Sequence, residues 1–161
     1  MKDIFGYLKV RHKIRTLMDL SLDKPEAMIW FKDYPIYCIW ITKQMNQDFD
    51  LPQSNIFVHD FKNGLISNYI IKERDYYDLG WCGDFVERLN SDEILPAMNT
   101  LRHCINVVIN VGSEEHDSDM EYITLMSESG FIFNSEETNI LRSRTPAKNQ
   151  IKKSLMFFNR I

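Results

Sequence analysis

The sequence predicts an α+β fold, a single domain over residues 1–161 built on a mainly antiparallel sheet. Three observations carry this. Apolar residues make up 44% of the chain, enough for a packed core. Runs rich in β-branched and aromatic residues lie between tight-turn signals. Segments with helical spacing stand at the start, the middle and the end. The predicted order is an N-terminal helix, a hairpin-rich meander of four strands, a central helix, three further strands and a basic C-terminal helix.

Residues 3–20 read as the first helix, because Tyr7, Val10, Ile14, Leu17 and Met18 recur at three- and four-residue spacing. Lys9, Arg11 and Lys13 fall largely off that stripe. Their basic face is solvated in the plain reading and able to hold phosphate in the other. Residues 27–31 and 36–42 read as strands on either side of Lys32-Asp33-Tyr34-Pro35, whose Asp and Pro are turn formers. Trp30 and Trp40 are expected in the core. Asn63-Gly64 predicts a two-residue type I′ hairpin turn. It would pair Phe61 with Ile66 and Phe57 with Ile70 on one face, and Val58 with Tyr69 and Ile56 with Ile71 on the other.

Residues 75–83 have two glycines and three aromatics without periodicity, and read as a structured loop. Residues 84–104 read as helix in two pieces, with Ser91 capping the second and Pro96 near its start. Residues 105–111 switch to β-branched composition, a buried strand. Residues 122–126 and 131–134 read as two more strands. Residues 149–160 close the chain as a helix with Ile151, Leu155, Met156 and Phe158 as its apolar set.

Charge is sorted along the chain. Residues 45–141 carry 18 acidic against 5 basic side chains, whereas residues 142–161 carry six basic and no acidic ones. A net charge of −4 therefore conceals an acidic middle between basic ends. The basic C-terminal helix is expected to dock on that acidic body rather than to bind nucleic acid. The stretch 113–121 gathers Glu114, Glu115, His116, Asp117, Asp119 and Glu121. It reads as solvated surface first, a contact for a basic protein second and a cation site last, since the spacing is not that of a calcium loop.

Motifs that fix a chemistry are missing. There is no G-x-G-x-x-G, no phosphate-binding G-K-S/T and no G-x-S-x-G elbow. Cys38, Cys82 and Cys104 are odd in number and widely spaced, which suits free thiols in a reducing cytoplasm. No stretch is apolar enough for a secretory leader or a membrane span.

The expected function is a non-enzymatic inhibitor, of the immunity or antitoxin type, that neutralises a basic protein such as a nuclease toxin. Complementary charge would speed association and desolvated aromatics would hold it. Its contacts would be Glu114, Glu115, Asp117 and Asp119, with Asp75, Tyr76, Tyr77, Asp78 and Trp81 as a second patch. No metal or cofactor is expected. The alternative is a small cytosolic enzyme with a dispersed site drawing on His59, His103 or Cys82 and nearby carboxylates.

Overall fold

The computed structural model describes residues 2–21, 24–43, 55–58, 76–83, 89–111, 119–144 and 155–161. Seven strands form one sheet: β1 Thr16–Leu20, β2 Tyr37–Thr42, β3 Ile56–Val58, β4 Tyr77–Cys82, β5 Cys104–Asn110, β6 Phe131–Phe133 and β7 Leu155–Arg160. Their order across the sheet is β3-β2-β1-β4-β5-β7-β6. The four pairings from β3 to β5 are parallel, and only those made by β7 are antiparallel. The fold is thus α/β, and the expectation of a mainly antiparallel α+β sheet is corrected.

Five described helices cover the sheet: α1 Lys2–Arg11, α2 Glu26–Phe31, α3 Ser91–Leu101, α4 Asp119–Glu128 and α5 Ser135–Ser143. Two apolar layers result. On one face Ile4, Phe5 and Leu8 of α1, Ala27, Met28 and Phe31 of α2 and Leu141 of α5 pack on Leu17, Trp40, Leu79, Trp81 and Phe157. On the other, Ala97, Met98 and Leu101 of α3 and Tyr122 and Met126 of α4 pack on Met18, Ile39, Cys82, Val107 and Phe158. Parallel strands covered on both faces lose the apolar–polar alternation of a half-exposed strand. All five residues of β1 are buried.

That loss explains most corrections. Residues 3–20 are not one helix: α1 stops at Arg11, Lys13 takes a positive φ of 50°, and β1 follows. Leu17 and Met18, placed on one helical stripe by spacing, face opposite sides of the sheet. Residues 75–83 are not a loop, since 77–82 form the central strand β4. Gly80 is required there by close packing. A Cβ at that position would lie 2.8 Å from Cys104 Sγ and 3.0 Å from Leu101 Cδ2.

Residues 27–31 lie in α2, and residues 122–126 lie in α4. Residues 155–160 of the predicted closing helix are instead β7, inserted between β5 and β6, and residues 149–154 lie outside the described residues. Leu155 and Phe157 face one layer, Met156 and Phe158 the other. An amide ladder ties the three outer strands. Asn159 Nδ2 donates to Asn106 Oδ1, and Asn134 Nδ2 donates to Asn159 Oδ1, both at 2.8 Å. Asn134 Oδ1 also accepts from Glu137 N at 3.0 Å, capping α5, a helix with no counterpart in the predicted order. The Asn63-Gly64 hairpin lies outside the described residues; Ile56–Val58, assigned to its first strand, pair in parallel with β2.

Other expectations hold. β2 falls within the predicted strand 36–42, β5 begins at Cys104, one residue ahead of the predicted strand 105–111, and α3 lies within the predicted helix 84–104. Its cap is Asn90 rather than Ser91, in a reciprocal box with Glu93, and Pro96 lies inside the helix. No helix among the described residues is long and apolar enough to cross a membrane.

Replacing Gly80 by Val should destabilise the fold by about 1–3 kcal/mol through overpacking against Leu101 and Cys104. Urea denaturation checks this, and an unchanged midpoint would contradict the packing described.

Candidate functional site

In an open parallel sheet, ligands bind outside the carboxyl ends of the strands, where the strand order reverses. Here the chain runs outward from β1 to β2 and β3, then crosses back to β4 on the other side of β1. The reversal point lies between β1 and β4. The side chains there follow from the pleat. Asp19, Ser21 and Gly83 occupy the face covered by α2, beyond or beside the buried Leu17 and Trp81.

Asp19 is fully buried and organises this end of the sheet. Its Oδ2 accepts from the Ala27 and Met28 amides, each at 2.8 Å, and its Oδ1 accepts from Ser21 Oγ at 2.6 Å. The preceding Pro25 provides no side-chain cap for α2, so Asp19 fills that role from the sheet. Burial pushes the Asp19 carboxyl up to about 7; the Ser21 and Met28 hydrogen bonds oppose that shift, and the charge of Glu26 adds to it. Trp40 Nε1 donates to Ser21 O at 2.6 Å and locks the turn that follows β1.

Gly83 forms a cradle at the reversal point. A Cβ there would lie 2.5 Å from Glu26 Oε2 and 2.9 Å from Ser21 Oγ. The Glu26 carboxylate is half-buried against this backbone, and no cation pairs with it among the described residues. One strand further, Asn110 is buried at the end of β5, and its Oδ1 has no hydrogen-bond partner among the described residues. Across the sheet, Lys43 after β2 is neutralised by Glu93 at 2.8 Å. That bond holds the Glu93 carboxyl below its ordinary range despite burial.

This arrangement selects by charge. Two of the amides that a phosphate would need at the start of α2 are taken by Asp19, and a second carboxylate stands beside them. A dinucleotide's pyrophosphate is therefore disfavoured, whereas a cationic ligand with hydroxyl or amine donors is complementary.

The residues expected from sequence lie elsewhere. Tyr77 and Trp81 are fully buried on β4. Asp78 Oδ2 accepts from the Arg15 and Thr16 amides at 2.8 and 3.1 Å, fixing the start of β1. Tyr76 is exposed and carries the Arg160 guanidinium 4.7 Å above its ring. Asp119 opens α4; Asp75, Glu114, Glu115 and Asp117 lie outside the described residues. The dispersed set does not converge in what is described. Cys82 is buried, and burial pushes its thiol well above the ordinary range, as it does for Cys104. His103 precedes β5, at the opposite, amino-terminal end of the strands from Cys82, where burial lowers its pKa. His59 lies outside the described residues. Asp19, Ser21, Glu26, Gly83 and Asn110 were missed, and Gly83 alone carried a signal, as a glycine beside a strand-like run.

No family profile and no curated protein matches the sequence. Solved structures do match. The 1,6-didemethyltoxoflavin-N1-methyltransferase of Burkholderia thailandensis, solved with 1,6-didemethyltoxoflavin and S-adenosylhomocysteine bound, superposes with a TM-score of 0.68 at 8% identity, covering 99% of this chain and 77% of that one. A TehB-like SAM-dependent methyltransferase from Corynebacterium glutamicum gives 0.67 at 12% identity, covering 98% and 87%. A SAM-dependent methyltransferase from Archaeoglobus fulgidus gives 0.58 at 12% identity, covering 99% and 94%. At these identities the likeness establishes the fold. These proteins are named as methyltransferases, which overturns the expectation of an inhibitor, immunity or antitoxin protein.

Because Asp19 binds a proton more readily folded than unfolded, it lowers stability as pH rises from 3.8 toward about 7. Asp19→Asn should flatten thermal stability against pH across that window while retaining the cap. Asp19→Ala should cost about 1–3 kcal/mol by leaving two α2 amides unpaired. A wild-type pH profile in Asp19→Asn would contradict this.

Proposed function

We propose that this chain is a small enzyme that binds S-adenosylmethionine between the carboxyl ends of β1 and β4 and acts as a methyltransferase. The observation that carries the reading is the Glu26 carboxylate against the Gly83 cradle, at the reversal point of a sheet shared with methyltransferases. The residues fit such a ligand. It is a cation that carries hydroxyls and an amine, and it has no phosphate.

Glu26 would pair with its positive charge, and Ser21 and Asn110 would hydrogen-bond its polar groups; Gly83, without a Cβ, leaves the room that the Glu26 carboxylate and the Ser21 hydroxyl occupy. Asp19 is a positioning residue, because its carboxylate is spent on α2 and Ser21. When bound, S-adenosylmethionine supplies an electrophilic methyl group on its sulfonium. This chain's part is to hold the donor at the end of β1 and β4, where the buried Trp40 ties Ser21 O in place. The sequence after β1, residues 21–25, contains no glycine. We place the protein in the cytoplasm, a reading supported by three free, buried cysteines.

Isothermal titration with S-adenosylmethionine should give a dissociation constant in the range of about 1 µM to 1 mM. Glu26→Gln should weaken it about tenfold, the loss of one charge-assisted contact. NADH, which carries a pyrophosphate, should bind more weakly than S-adenosylmethionine. No heat with S-adenosylmethionine, or an unchanged constant in Glu26→Gln, would overturn the proposal.

A further inference from the structure

We infer that a groove between α1 and α2 is a second ligand site, one that takes a nucleotide unit: a phosphate joined to an aromatic base. The groove holds about 360 Å³, within the range of small-molecule sites. It is separate from the cleft at Gly83. α2 begins at that cleft with Glu26, and its last turn supplies the groove with Trp30.

Two cations define the groove. Lys9 Nζ lies 4.2 Å above the Tyr34 ring, and the Arg144 guanidinium lies 4.4 Å above the Tyr7 ring. Among the described residues neither pairs with a carboxylate, and Asp3 is the one acid along the lining. A cation resting on an aromatic face keeps its full charge for a third group, which a salt bridge would not allow. A lysine and an arginine facing one cleft suit a phosphate, the arginine as a fork and the lysine as a point charge.

The walls are aromatic and held in place. Trp30 and Tyr34 stack at 5.1 Å and 21°. Tyr7 donates through its hydroxyl to the buried Glu137 at 2.9 Å, and the same carboxylate takes His12 and Arg11. The Arg144 guanidinium, lying over Tyr7, offers a base a flat cationic face to stack on without sequence preference. The floor is open at Gly6, where an added Cβ would meet nothing within 4 Å. Lys9 belongs to the basic face, with Arg11 and Lys13, that the sequence marked as able to hold phosphate; Lys13 is exposed, and Arg11 is paired with Glu137. The inference does not depend on methyl transfer.

The shared chemistry could come from a free nucleotide or from a single strand, and the test separates them. Probes are inorganic phosphate and AMP, by calorimetry, and a labelled ten-nucleotide oligouridine, by fluorescence anisotropy. AMP should bind more tightly than phosphate. Tighter binding of the oligomer than of AMP would identify a strand as the source, and equal binding a free nucleotide. Lys9→Gln and Arg144→Gln should each weaken AMP about tenfold. Gly6→Leu should block the groove with no loss of thermal stability, since leucine is a better helix former than glycine. Absence of AMP binding, phosphate binding as tightly as AMP, or wild-type affinity in all three variants would overturn the inference.

Discussion

The buried carboxylate of Asp19 is the interaction on which this end of the molecule depends. It sits on a central parallel strand with no cation beside it among the described residues, and three donors converge on it: Ser21 Oγ and the Ala27 and Met28 amides. An isolated buried charge is costly, and these bonds offset part of that cost. In return the start of α2 is fixed to the sheet. Fixing α2 sets Glu26 against Gly83, and with it the shape and sign of the cleft. Local structure, burial and candidate function meet in one side chain.

The two ends of α2 then differ in chemistry. At its start, the helix amides that would attract an anion are already satisfied and carboxylates dominate. Past its end, Lys9 and Arg144 rest on tyrosine rings beside Trp30. One short helix thereby separates a cleft suited to a cation from a groove suited to an anion. The net charge of the chain conceals this division, because sequence-wide charge does not report which side chains neutralise one another.

Much of the core was legible and little of the topology was. Ile36–Thr42 and 105–111 read as strands because β-branched and aromatic residues fill them, and β2 and all of β5 but Cys104 lie there. Thr16–Leu20 and Tyr77–Cys82 did not, because a strand buried on both faces shows no alternation. Gly80 and Gly83 imitate a loop until their close neighbours are known. Glu26–Phe31 has strand-like composition, and the carboxylate that caps it is seven residues upstream on another element. Leu155–Arg160 offers the same ambiguity, settled by its insertion between two strands. The site stayed hidden for the same reason: Asp19 and Glu26 are near in sequence, but Gly83 joins them only because β4 returns to lie beside β1.

Binding of the ligand in the cleft between β1 and β4 is tested by an amide-resolved NMR titration with S-adenosylmethionine. The Ser21, Gly83, Ala27 and Met28 amides should shift together in one saturable process, with the Gly6 and Lys9 amides unmoved. No saturable shift at Gly83, or shifts confined to α1, would contradict it.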